Sequence, residues 1–161
     1  MNWKKLFSNL IWVAALVFLT WYFLWPVHPA LGTDAGDVRI YVMEADETGQ
    51  RTQTTYLFPD ASSGHTALNS ALNAQSCFHT ISPSNKNTDQ RFQWEQQFLI
   101  QAENGVSIYT YGGSRLTYHN SILRVKYPEI LHQKILDLLR SPEAHGIICE
   151  GSEPVTTDNL F

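Results

Sequence analysis

The chain has 161 residues, 43% of them hydrophobic, with 11 basic and 15 acidic residues. This size and composition fit one folded domain beside an N-terminal segment, and they exclude a chain that is disordered throughout. Lys4 and Lys5 precede an apolar run, so nine basic and all fifteen acidic residues follow position 30. A net-acidic domain without a basic stripe is a poor nucleic-acid binder, because such binding depends on neutralising phosphates.

Residues 6–25 form a run without formal charge. As a helix, a run of this length spans ~30 Å, which matches the hydrocarbon layer of a bilayer. Trp3 precedes the run, and Trp21, Tyr22 and Trp25 lie at its far end, as expected for aromatic belts at both interfaces. The run predicts a transmembrane helix over 6–25, with the lipid bilayer as its partner, followed by a linker over 26–37.

The charges flanking this run predict its orientation. Because Lys4 and Lys5 favour the cytoplasm, we expect a cytoplasmic stub over 1–5 and an extracytoplasmic domain on the other side of the cell membrane. Two alternatives are a cleaved signal peptide and a buried core helix. The first would need an unusually long apolar region, and Pro29 stands in a poor cleavage site. The second does not fit the length and flanks.

The only two cysteines, Cys77 and Cys149, follow the apolar run. In an oxidising compartment such a pair favours a disulfide, worth ~4 kcal/mol on the chain-entropy model. The alternative is two free buried thiols, which behave as small apolar groups. The lack of Cys-x-x-Cys spacing argues against a catalytic redox pair.

The exported part, taken in chain order, predicts an α+β domain over 38–150. Alternating residues indicate strands at Val38–Glu44 and Thr52–Phe58, and apolar residues at helical spacing predict a helix from Ser63 to Gln75. A strand over 77–81 is possible, and Asn104-Gly105 marks a hairpin. The remaining expected elements are strands over 92–101, 106–111, 115–118 and 122–125, a helix over 128–140 and a flexible tail over 151–161. The predicted order is ββαββββα, an antiparallel sheet with two helices on one face.

No stretch of the sequence carries a specific catalytic, cofactor or metal motif, so we expect no cofactor, and the sequence favours a non-enzymatic role. His79 and His119 could approach each other if their strands pair, which would give a two-histidine metal site in a hydrolase or metal-dependent enzyme. A lone histidine in a strand is more often simply packed or solvated. Catalytic groups can also assemble from distant residues, so the pattern leaves the enzyme alternative open.

Aromatic residues gather in the predicted meander, and four of them form a possible binding face: Trp94, Tyr109, Tyr111 and Tyr118. Tyr109 and Tyr111 share a side of one strand, opposite Ile108. If the helices cover the Ile108 side, these tyrosines face away from the core and could bind a partner. The alternative is that they stabilise the sheet through cross-strand pairs.

The pattern from residue 38 to residue 140 resembles small membrane-anchored or secreted modules of unknown function from Gram-positive bacteria. The resembling features are the helix at Leu68–Leu72, the loop at Ser82-Pro83, the strands at Phe98–Gln101, Ser107–Tyr111 and Leu116–Tyr118, and the helix at Ile130–Leu139. The resemblance implies an extracytoplasmic α+β module, and it brings no catalytic residues.

These features favour a single-pass, membrane-anchored domain that binds a protein or another envelope component outside the cell membrane. One alternative is the envelope hydrolase or metal-dependent enzyme described above. Another is a structural subunit whose transmembrane helix pairs within a larger complex, for which the small pair Ala14-Ala15 is a faint signal.

Overall fold

The computed structural model describes residues 3–45, 51–80, 96–111, 114–141 and 148–149. Its helices are α1 (Trp3–Leu24), α2 (Ser63–Asn73) and α3 (Pro128–Arg140). Its strands are β1 (Val38–Ala45), β2 (Arg51–Phe58), β3 (Cys77–His79), β4 (Gln97–Ala102), β5 (Ser107–Tyr111), β6 (Arg115–Tyr118), β7 (Ser121–Val125) and β8 (Ile148–Cys149).

The strands form one antiparallel sheet in the order β3-β7-β6-β5-β4-β1-β2-β8. Ile100 of β4 pairs with Ile40 of β1 on one side and with Ile108 of β5 on the other. Because side chains alternate along a strand, these three isoleucines share one face of the sheet. All three are fully buried, so the core lies on this face.

Helices α2 and α3 cover the core face. Leu68 and Leu72 of α2 join Leu131 and Ile135 of α3 in the same buried cluster as the strand residues. Ser62 is the N-cap of α2, and its Oγ accepts a hydrogen bond from the backbone N–H of His65 at 3.1 Å. Helix α3 starts with Pro128 at its first turn, where a missing N–H costs nothing.

The structure confirms the α+β class, the antiparallel sheet and an N-terminal apolar helix, but the predicted strand order was incomplete. Strand β3 is a separate element at one edge of the sheet, and β8 follows α3 and pairs with β2 at the other edge. Neither strand has more than three residues, so neither shows enough alternation for a sequence pattern to detect. The predicted tail over 151–161 lies outside the described residues.

The hairpin between β4 and β5 is a three-residue turn rather than the expected two-residue one. The backbone N–H of Gly105 bonds to Ala102 O at 3.0 Å, and Gly105 has a φ of +86°. A type I turn followed by glycine in the left-handed region is the usual three-residue hairpin. The turn in which both residues have positive φ joins β6 to β7, at His119 and Asn120.

Helix α1 extends away from the domain, and its large apolar side chains are exposed along its length. It is the one helix in the described part of the chain that is long and apolar enough to cross a membrane, judged by length and composition. At ~1.5 Å per residue its 22 residues span ~33 Å. At its end Tyr22 stacks on His79 of β3, with the ring centroids 4.1 Å apart.

The segment after α1, predicted as a linker over 26–37, packs into the domain. Val27 forms a bridge with Cys77, which extends the sheet beyond β3. Leu31 is fully buried; its N–H donates to Asn69 Oδ1 at 3.0 Å, and its carbonyl accepts from Asn104 Nδ2 at 2.8 Å. These contacts join the end of α1 to the domain without a loose connection.

Candidate binding face of the sheet

The sheet face opposite the helices carries the candidate site, and we name it the arginine face. Its described side chains are those of Arg39, Tyr41 and Met43 of β1, Gln53, Thr55 and Leu57 of β2, Phe78 of β3, Gln97, Leu99 and Gln101 of β4, Ser107 and Tyr109 of β5, Arg115 and Thr117 of β6, and Ile122 and Arg124 of β7. Strand alternation places them together, because each pairs in register with a member on the next strand.

Charge is segregated between the two faces. Among the strand residues whose side chains the structure describes, the arginine face holds Arg39, Arg115 and Arg124 and no carboxylate. The strand carboxylate with a described side chain, Glu44, lies in phase with Val42 on the core side. The domain around this face is net acidic, so the concentration of cations here runs against its overall composition.

Arg115 and Arg124 are direct cross-strand partners on β6 and β7. Like charges in this position destabilise a sheet unless an anion neutralises them. Each of the two residues already takes part in an interaction within the chain. Two guanidinium groups in this position attract carboxylate or phosphate groups, by Coulomb attraction and by their bidentate geometry.

Tyr109 lies on the arginine face, as the alternation predicted, but it is half-buried. Its hydroxyl donates to Gln97 Oε1 at 2.7 Å, and its backbone N–H donates to Thr117 Oγ1 at 3.2 Å. Leu99 beside it is 1% exposed. These contacts support the cross-strand alternative for Tyr109, so the centre of the face is not a bare row of exposed aromatic rings.

The other residues of the predicted aromatic face are not all brought together. Tyr118 pairs with Ile108, which places it on the core face, and its hydroxyl donates to Ala30 O at 3.1 Å. It helps to hold the segment after α1 and does not belong to the arginine face. Trp94 lies outside the described residues, as does the side chain of Tyr111. Tyr41 and the three arginines join the face instead, and the alternation of β1 was the signal for the first of them, Arg39.

The predicted disulfide between Cys77 and Cys149 is not formed. Cys77 is a free, buried thiol. The backbone places Cys77 in β3 and Cys149 in β8, at opposite edges of the sheet with six strands between them. Strand pairing therefore does not bring these two edges together, as a disulfide with ~6 Å between Cα atoms would require. The structure therefore corrects this prediction, and burial raises the pKa of Cys77 from 9.0 to about 12.

The two histidines considered for a metal site have other surroundings. His79 is stacked on Tyr22, and His119 forms the β6–β7 turn, with its ring against that of Tyr118. Within the ranges that the structure describes, no group of three histidine, cysteine or acidic side chains could hold a metal ion. The alternative of a metal-dependent enzyme gains no support from these residues.

Comparison with known proteins adds no further identification. No protein-family model, no curated protein and no solved structure matches the chain. The resemblance to Gram-positive extracytoplasmic modules stays a prediction.

Proposed function

We propose that this chain is a single-pass membrane protein with its domain outside the cell membrane, where the arginine face binds an acidic segment of an envelope or membrane protein. The observation that carries the binding role is the segregation of Arg39, Arg115 and Arg124 onto one sheet face of a net-acidic domain. Clustered guanidiniums steer anionic partners and form bidentate bonds with carboxylates.

Anchoring is supported by the exposed apolar surface of α1 and by the packing that follows it. Exposed large apolar side chains run from Trp3 to Trp25, and such a surface is expected to be covered by lipid. The buried Leu31 and the Val27 bridge hold the domain close to the end of this helix. The domain would therefore present its sheet at a short distance from the bilayer surface.

The anchor and its orientation are tested in intact cells. We expect the full chain to stay in the membrane fraction after alkaline carbonate extraction, and we expect protease added to spheroplasts to digest the domain. A chain released by carbonate would contradict the anchor. A domain that is digested only after the spheroplasts are lysed would contradict the orientation.

Binding is tested with a glutamate-rich peptide as the probe. We expect the double variant Arg115→Gln/Arg124→Gln of the detergent-solubilised full chain to bind the peptide about fivefold more weakly by fluorescence anisotropy, because two charge-assisted contacts are lost. The matched control, Lys134→Gln/Arg140→Gln, removes the same charge from exposed positions of α3 on the other side of the sheet. Equal losses in both variants would show that only net charge matters, and the proposal would fail.

A second candidate function, a structural subunit of a membrane complex, is favoured by one observation. A shallow groove runs along one side of α1, lined by Leu16, Val17, Thr20, Trp21, Leu24 and Trp25. Grooves of this kind accept side chains of a neighbouring helix. If another helix fills it, Thr20→Leu would disrupt that packing and lower the yield of crosslinked complexes recovered from membranes, whereas Val13→Leu outside the groove would not.

A further inference from the structure

Helix α1 carries a polar amide within its apolar run. Asn9 is the only residue between positions 6 and 25 with a side-chain amide, and its side chain lies exposed on the helix surface. The run is centred between residues 15 and 16, so at ~1.5 Å per residue Asn9 lies ~10 Å from the centre. Half of the hydrocarbon layer measures ~15 Å. In a bilayer centred on this run, the Asn9 amide therefore lies ~5 Å inside the lipid.

The Asn9 amide has no hydrogen-bond partner within the part of the chain that the structure describes. An amide of this kind offers two N–H donors and a carbonyl acceptor. Thr20, the other small polar residue near this side of α1, donates its hydroxyl to Leu16 O at 2.8 Å and so is paired within its own helix. Because polar groups left unpaired in hydrocarbon are costly, the Asn9 amide favours a partner outside its own helix.

Asn9 lies on a side of α1 that faces away from the domain. Leu16 and Thr20 follow Asn9 after about two and three helical turns, so the three side chains point in nearly the same direction, and we name them the Asn9–Thr20 stripe. Leu16 and Thr20 also line the groove of α1. Tyr22 points about 200° away from Thr20 around the helix axis, and it is Tyr22 that stacks on His79 of the domain. A neighbouring helix can therefore reach the stripe without meeting the domain.

We propose that α1 pairs with α1 of a second copy of this chain through the Asn9–Thr20 stripe, with the two Asn9 amides hydrogen-bonded to each other. The inference rests on the proposed anchoring of α1, because the amide needs such a partner only in lipid.

The chemistry of the stripe selects a second copy as its partner. Copies of a single-pass chain share one orientation, so two parallel helices place their Asn9 side chains at the same depth. An amide is both donor and acceptor, and it therefore complements its own copy across a two-fold axis. Stripe residues separated by whole turns also suit two helices that cross at about 20°.

Cysteine crosslinking of the full chain in membranes tests which side of α1 pairs. The background is Cys149→Ser, in which the remaining Cys77 is a buried thiol. We expect Thr20→Cys to form a disulfide between two differently tagged copies under a lipid-soluble oxidant. Phe18→Cys lies at nearly the same depth but about 200° around the helix, so this matched control should crosslink at least about fivefold more slowly. Equal rates at both positions, or crosslinks from position 20 only to other proteins, would overturn the proposal.

Substitution of Asn9 tests whether the amide carries the pairing. In the Thr20→Cys chain, diluted in lipid, Asn9→Leu should slow crosslinking about threefold to tenfold, the range expected for interhelical hydrogen bonds in membranes. Asn9→Gln keeps an amide and should retain most of the rate. Ser8→Leu removes a polar group at nearly the same depth but one residue off the stripe, so it is the matched control and should leave the rate unchanged. Equal losses in Asn9→Leu and Ser8→Leu, or no loss in either, would overturn the inference.

Carbonate extraction and peptide binding separate this inference from the proposed function. If the chain resists carbonate but position 20 does not crosslink, the anchor stands and the pairing fails. If carbonate releases the chain and position 20 still crosslinks in detergent micelles, the pairing of α1 stands and the anchor fails. The arginine face lies on the domain, so Arg115→Gln/Arg124→Gln should leave the crosslinking at position 20 unchanged. Peptide binding can therefore fail while the pairing stands.

Discussion

Cys77 shows how burial decides the chemistry of a single residue. The thiol is buried in the core beside Val125, away from charges that would stabilise a thiolate, and its pKa rises from 9.0 to about 12. A thiol attacks as the thiolate, so a folded Cys77 should be nearly inert at neutral pH. Its place in the molecule is that of a small apolar core residue.

We predict that iodoacetamide at pH 8 does not alkylate Cys77 in the folded Cys149→Ser variant, whereas denaturation makes it reactive within minutes. The measurement is the mass shift of the intact protein with time. Denatured wild-type chain kept without reductant should add two maleimide groups, one per cysteine. Addition of none would show that a disulfide exists.

The raised pKa also fixes the sign of a pH effect on folding. Between pH 9 and pH 12 the unfolded chain ionises Cys77 while the folded chain keeps it protonated. The unfolded state therefore binds fewer protons, so this residue's contribution to stability is complete below pH 9 and is lost as the pH rises toward 12. In urea titrations, Cys77→Ala should reduce the loss of stability above pH 9.

Gly64 is a residue at which close contact rather than backbone angle requires glycine. A Cβ added there would lie 2.5 Å from Phe58 Cδ1, and Phe58 is itself buried in the core. Gly64→Ala would therefore force the ring or the start of α2 to move.

We expect Gly64→Ala to lower the free energy of unfolding by about 1–3 kcal/mol, the usual cost of overpacking. Urea titration followed by circular dichroism is the measurement. The control is Ser70→Ala at an exposed position of α2, where alanine's higher helix propensity leaves stability unchanged or slightly raised. If Gly64→Ala were neutral or stabilising, the Phe58 ring could move enough to accommodate the added methyl group.

At the scale of elements, α2 depends on the N-cap residue that precedes it. Ser62 Oγ accepts the N–H of His65, one of the donors that a helix start leaves unpaired. We predict that Ser62→Ala costs about 1 kcal/mol, as removal of such a cap does, while Ser62→Asp retains most of the stability. The measurement is thermal unfolding of the wild-type chain and the two variants. Equal midpoints for all three would contradict a capping role.

Local elements could be predicted from the sequence wherever their periodicity is long enough. The apolar stripe of α3 and the alternation of β1 predicted bounds for these two elements that are close to the observed ones. The faces of later strands depend on register, which the turns set. Tyr118 pairs with Ile108 and so turns toward the core, and a one-residue difference in the β5–β6 connection would have placed it with Tyr109.

The arginine face could be only partly predicted for the same reason. Arg39 and Tyr41 follow from the alternation of one strand, but Arg115 and Arg124 become neighbours only when β6 pairs with β7. The partner of β8 depends on a contact between residues almost a hundred positions apart. Pairing at such separation leaves no local pattern, which is also why the sequence suggested a disulfide between two edges of the sheet.

At the scale of the whole molecule, the boundary between α1 and the domain falls earlier in the chain than composition indicates. Proline, glycine and aspartate between 26 and 37 are typical of a linker, yet Leu31 and Ala35 are 0% and 1% exposed and belong to the core. Gly32 and Gly36 have φ values of +93° and +64°, so these two glycines make the turns that this segment needs to follow its ordered path across the domain. The folding unit therefore begins immediately after α1.

We predict that a chain beginning at residue 26 folds like the domain of the full-length protein, whereas a chain beginning at residue 38 is destabilised by several kcal/mol. The shorter chain loses the Leu31 side chain, and emptying a leucine site typically costs 2–5 kcal/mol. It also leaves the amides of Asn69 and Asn104 without their partners on Leu31. The midpoints of urea unfolding of the two truncated chains are the measurement, and Leu31→Ala in the longer one isolates the core contribution. Equal midpoints for the chains beginning at 26 and at 38 would show that residues 26–37 are a linker, and the domain would then be free to turn relative to α1.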